Sequence, residues 1–178
     1  MIIDDRYRYS PYDIAFFIKQ GDLTLSEIKK IKTDIWEKRE HLIQDRWKKD
    51  YRCWCDTIRK YLNQFDGYYG QDIIKINKDF EDIGSSYALH SMISDSSRVE
   101  TYFKQIRLML EYSGKKYVKC KFRTVLNALG YKRRSNDLII WIHFSLDRLN
   151  MTCFIKKNKC DFSKVDLDDM VTFRLNKQ

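Results

Sequence analysis

The sequence predicts a mainly α protein with a small β-ribbon: an N-terminal helical region over residues 1–114, then a smaller, basic C-terminal domain over residues 115–178. Three observations lead there. Gly and Pro are scarce, 6 and 1 in 178 residues, while 33% of the chain is charged, a balance that suits helices. Apolar residues step by three and four through most of the chain, and period-two alternation is confined to its C-terminal end. The net charge of +9 sits wholly in the last third, where Lys115 to Gln178 holds 15 Lys/Arg against 6 Asp/Glu; the first 114 residues hold 19 of each.

Ser10-Pro11 starts the first helix, with Ser as cap and Pro at the position where its missing N–H is harmless. Ile14, Phe17 and Ile18 fall on one face, and Gly21 suits the stop. Thr24 and Glu27 have capping-box spacing. No Gly or Pro then intervenes before Phe65. Ile28, Ile31, Ile35 and Leu42 keep one apolar seam, and Trp47, Tyr51, Trp54, Ile58, Tyr61 and Phe65 keep another in a different register. Residues 24–65 are therefore one helix that changes partner near Lys48-Lys49-Asp50, or two that meet there.

Asp66 to Gly70 reads as a loop. Ile73, Ile76, Phe80 and Ile83 predict a helix closed by Gly84, and a short helical piece follows over Tyr87 to Ile93. Ser97 and Glu100 repeat the capping-box spacing and open a helix that buries Val99, Tyr102, Phe103, Ile106, Met109 and Leu110 before Gly114 ends it. Beyond Gly114, Phe122, Val125, Leu126 and Leu129 form a stripe closed by Gly130, and Tyr131 to Ser135 make a basic turn. Ser135 or Asn136 caps a further helix striped by Leu138, Ile139, Ile142, Leu146 and Leu149. Thr152 to Ile155 reads as a strand, Lys156 to Lys159 as a basic tip, and Met170 to Leu175 as an alternating strand.

Charge names the leading partner class. Between Lys115 and Arg134 there are eight basic residues and no acid, and such a concentrated field attracts polyanions. The predicted nucleic-acid-binding set is Lys115, Lys116, Lys119, Lys121, Arg123, Lys132, Arg133, Arg134, Ser135, Asn136, Lys156, Lys157 and Lys159. Lys132 to Arg134 and the tip lysines would neutralise phosphates, and Ser135 and Asn136 would open the helix that approaches bases. Helix, turn, helix and a ribbon with a basic tip is the order of a winged helix-turn-helix, making this a winged-helix-like domain. The segments Phe122–Tyr131 with Lys132-Arg133-Arg134, the Leu138–Leu149 helix and the closing Asp169–Arg174 resemble the small winged-helix modules attached to bacterial restriction and defence proteins. That resemblance covers the C-terminal third and implies DNA, favoured over RNA and double-stranded, in a regulatory or defence-accessory role. The turn is longer than the usual three to four residues of such motifs, a departure that bears on groove docking.

Other readings compete. A charge run can simply be a solvated face. Trp36, Trp47, Trp54 and Tyr51 interleave with Lys48, Lys49 and Arg52, a pattern that serves single-stranded nucleic acid or, more commonly, helix packing. The two seams would let the N-terminal helices form a homodimer or hold a partner protein, and a protein–protein adaptor or inhibitor with a basic docking face is the alternative function. A small metal-dependent nuclease is third, with Asp66, Asp72, Lys75, Lys78, Asp79 and Glu81 as its carboxylate–lysine group. His41, His90 and His143 stand alone, and no phosphate-cradling Gly motif occurs. Five cysteines at irregular spacing suit neither a disulfide framework nor a paired zinc site. No cofactor is expected. No apolar run approaches the ~20 residues of a membrane span, so the expectation is a cytoplasmic protein without membrane contact.

Overall fold

The computed structural model describes residues 4–21, 23–68 and 95–176. The chain divides into two compact units, residues 1–78 and 79–178. This division precedes the change in charge at Gly114, because the helix before that glycine packs with the C-terminal elements.

In the first unit, α1 (Pro11–Gln20) begins at Ser10, whose hydroxyl accepts from the Asp13 amide while Asp13 accepts from the Ser10 amide. Helix α2 (Leu25–Glu37) opens with the same reciprocal box between Thr24 and Glu27. The stretch to Phe65 is neither one helix nor two. A short α3 (Arg39–Leu42) and a 3-10 turn (Asp45–Trp47) separate α2 from α4 (Tyr51–Tyr68). A distant partner makes the break: Ile43 is extended and bridges to Tyr9, with the Tyr9 amide donating to Leu42 O and the Gln44 amide to Tyr9 O. Helix α4 runs through Asp66, Gly67 and Tyr68, where a loop is expected; Tyr69 and Gly70 lie outside the described residues.

Both seams are occupied within this unit. Tyr12 and Phe16 of α1 meet Tyr61 and Phe65 of α4, and Trp36 of α2 lies against Tyr51 and Trp54. Ile31, Ile35, Leu42, Trp54, Ile58 and Phe65 are all buried. Of the interleaved cations, the Lys48 ammonium pairs with Asp45 at 2.6 Å and with Glu40, and Lys49 and Arg52 are exposed. The aromatic part of the pattern is helix packing, and only Leu25 and Tyr51 leave large apolar area exposed among the described residues of this unit.

In the second unit, α5 (Asp95–Tyr112) starts two residues before the expected cap at Ser97 and ends at Gly114, whose φ of +71° lies in the left-handed region that glycine enters freely. Between Thr101 and Leu110 every residue is buried, not one face alone. Strand β1 (Val118–Lys121), absent from the sequence reading, leads directly into α6 (Phe122–Ala128). The turn over residues 131–135 leads to α7 (Asn136–Arg148). Strand β2 (Met151–Ile155) turns through Lys156-Lys157 into the two-residue β3 (Asn158–Lys159), and β4 (Met170–Leu175) closes the chain.

The sheet is antiparallel in the order β1-β4-β2-β3. Val171, Phe173, Cys153 and Cys120 point to its buried side, with Phe173 edge-on to Phe103 of α5 at 5.5 Å. The fold is thus mainly α with a small antiparallel sheet at the C-terminal end.

Candidate nucleic-acid interface

Strand β1 alternates Val118-Lys119-Cys120-Lys121, apolar toward the core and basic outward. Register carries that outward row across the sheet, because residues directly opposite on neighbouring strands share a face. Lys119 faces Thr172, Thr172 faces Phe154, and Phe154 faces Lys159. Lys119 and Lys159 therefore bracket the outer face about 14 Å apart, three strand spacings. In the next row Arg174 is exposed, with its guanidinium 5.7 Å from the ring centroids of both Tyr117 and Phe154.

The thirteen predicted residues separate into groups. Lys116, Lys119, Lys132, Arg133, Lys156, Lys157 and Lys159 are exposed and have no acidic partner among the described residues. Lys121 and Arg123 are also exposed but share Asp168, at 3.4 and 2.8 Å. Lys115 follows Gly114, beside Lys116. Asn136 is exposed at the start of α7. Two residues of the set also hold the local structure. The Arg134 guanidinium donates to the carbonyls of Phe162 and Val165, tying the turn to the long loop after β3. The Ser135 hydroxyl accepts from the Leu138 amide at 3.2 Å and caps α7. Arg174 and Tyr117 were missed, because only the strand register reveals that they join this face.

Helix α7 presents a different surface. Leu138, Ile142, Leu146 and Leu149 are buried as expected, and Ile139 is half-buried. Its outer side carries Ile140, 61% exposed, with Trp141 and Phe144 at 40% and 39%. Arg148 stacks on Phe144 at 4.7 Å, and Asp137 and Asp147 are exposed on the same helix. An apolar middle with an acid near each end is poorly suited to a phosphate-lined major groove. His143 meets Phe162 edge-on at 5.1 Å, so it is a packing contact at the rim of this helix.

Beneath the sheet lie the buried thiols Cys120, Cys153 and Cys160. A hydrogen bond with Cys160, then burial, pushes the Cys153 thiol far above its ordinary 9.0. The sign follows from proton counting: above pH 9 the unfolded chain loses the Cys153 proton while the native state keeps it, so rising pH favours unfolding. Stability should fall by up to about 1.4 kcal/mol per pH unit from this group. Urea unfolding between pH 8 and about 10 tests this, and a Cys153→Ala variant should show a shallower slope whatever its absolute stability.

Among the described residues, no group of three or more His, Cys, Asp or Glu could hold a metal ion. The nuclease candidates Asp72, Lys75, Lys78, Asp79 and Glu81, the expected helices around them, and His90 lie outside the described residues. No described helix is long and apolar enough to cross a membrane. In comparisons with protein-family models, curated proteins and solved structures, nothing matches this chain.

Proposed function

We propose that the C-terminal unit binds nucleic acid, with double-stranded DNA favoured over RNA, as a winged-helix-like domain in a regulatory or defence-accessory role. The observation that carries this reading is a set of seven exposed cations with no acidic partner among the described residues, Lys116, Lys119, Lys132, Arg133, Lys156, Lys157 and Lys159. In a merely solvated face, cations are usually interspersed with acids. The element order also suits it: α6, turn, α7 and a ribbon with a basic tip follow one another as in a winged helix. The Lys132-Arg133 turn and the wing lysines supply phosphate contacts, and the apolar middle of α7 leaves little direct reading of base edges to that helix.

A second reading, a protein–protein adaptor, draws on Ile140, Trp141 and Phe144, because an exposed apolar cluster on one helix is a common docking surface. Fluorescence anisotropy of the full chain with duplex DNA, duplex RNA and single strands across a salt series separates the two. Duplex DNA should bind most tightly and weaken steeply with salt, and Lys132→Ala/Arg133→Ala should lower the slope of log affinity on log salt by about 2. Arg134 is unsuitable for this test because it holds the wing loop. Absence of binding to every ligand at low salt overturns the proposal and leaves the α7 cluster as the leading surface.

A further inference from the structure

We infer that the outer face of the sheet, centred on Tyr117, is a stacking site for an unpaired nucleotide, so that the preferred ligand is a duplex carrying a single-stranded extension. This deepens the nucleic-acid reading above and rests on it.

The geometry begins with three flat groups in a row. Tyr117 is 50% exposed, Phe154 is half-buried, and the Arg174 guanidinium sits 5.7 Å from each ring. Grooves of about 610 and 500 Å³ flank Tyr117. Leu110, Gly114 and Leu175 line the first and Met109, Val118 and Met170 the second, with Lys115 and Lys116 on both. These grooves follow the β1 edge of the sheet, so Tyr117 stands between them and the outer face; the surroundings are cationic, with Lys116 beside Tyr117 and Lys119 and Lys159 at the two ends of the neighbouring row.

That combination selects among polyanions. A paired base keeps its faces inside the helical stack and offers only its edges and phosphates, so an aromatic row gains nothing from an intact duplex. An unpaired base can lay its face on Tyr117 while its phosphates reach the lysines, and such stacking tolerates any base. The cationic clusters at the turn and wing tip hold the adjoining duplex, which makes an extended duplex, not a free strand alone, the ligand that uses every contact.

The test compares a blunt DNA duplex with the same duplex carrying a short thymidine extension, bound by the full chain. The extended duplex should bind about tenfold tighter or better, the usual worth of one stacked base. That preference should persist as salt rises, because stacking is not screened as phosphate contacts are. Tyr117→Ala should abolish the preference while leaving the circular dichroism spectrum as it was, and Tyr117→Trp should retain it. Equal affinity for both duplexes, or a preference that survives Tyr117→Ala, overturns the inference and leaves the nucleic-acid reading standing. If neither duplex binds at low salt, both fall together.

Discussion

Glu111→Ala should destabilise the C-terminal unit by about 3 kcal/mol, the cost of leaving a buried charge without its counterion. The Arg107 side chain is 9% exposed; its Nε and Nη2 donate to Glu111 at 3.0 and 2.7 Å, and its Nη1 donates to Leu149 O at 2.6 Å. One guanidinium therefore joins the middle of α5 to the end of α7, two elements far apart in sequence. Removing Glu111 takes away the carboxylate that accepts two hydrogen bonds from this guanidinium in the buried stretch of α5. For a unit of about 100 residues the melting temperature should fall by more than about 10 °C. Arg107→Met/Glu111→Leu should be less harmful than Glu111→Ala alone, since removing both charges avoids the stranded one. Thermal unfolding by circular dichroism decides it: a loss below about 0.5 kcal/mol would show that water reaches Arg107 and replaces its partner.

Nothing in the sequence separates Arg107 from the solvent-facing charges of an amphipathic helix, and the same limit explains most of what was not legible. Features set by neighbours in the chain were read correctly: the Ser10-Pro11 helix start, the Thr24–Glu27 box, the stop at Gly114, and the buried stripe of Leu138, Ile142, Leu146 and Leu149. Features set by distant partners were not. The break after α2 needs Tyr9 to pair with Ile43, and β1 is four residues long and pairs, among the described residues, with β4 alone. Gly67 costs a helix about 1 kcal/mol relative to Ala, yet α4 carries through it. The candidate site divides in the same way. Its cations were legible as composition, but the occupation of Arg134 by the wing loop and the meeting of Tyr117, Arg174 and Phe154 follow only from register and tertiary contact.

Reversing the wing, Lys156→Glu/Lys157→Glu/Lys159→Glu, should have the largest effect on duplex binding. Each lysine that neutralises a phosphate contributes about 0.9 to the salt slope, so losing three lowers it by about 2.7. Reversal adds repulsion to that loss, and affinity at low salt should fall by about 100-fold or more. The fold should tolerate the change. Lys156, Lys157 and Lys159 are exposed, and Lys156 holds a φ of +56°, which glutamate adopts no less readily than lysine. A reversed protein that unfolds like wild type but no longer retards duplex DNA would assign the loss to the wing. Retained affinity with an unchanged slope would move the phosphate contacts to the Lys132-Arg133 turn. It would also separate the duplex from the sheet face on which Lys159 stands.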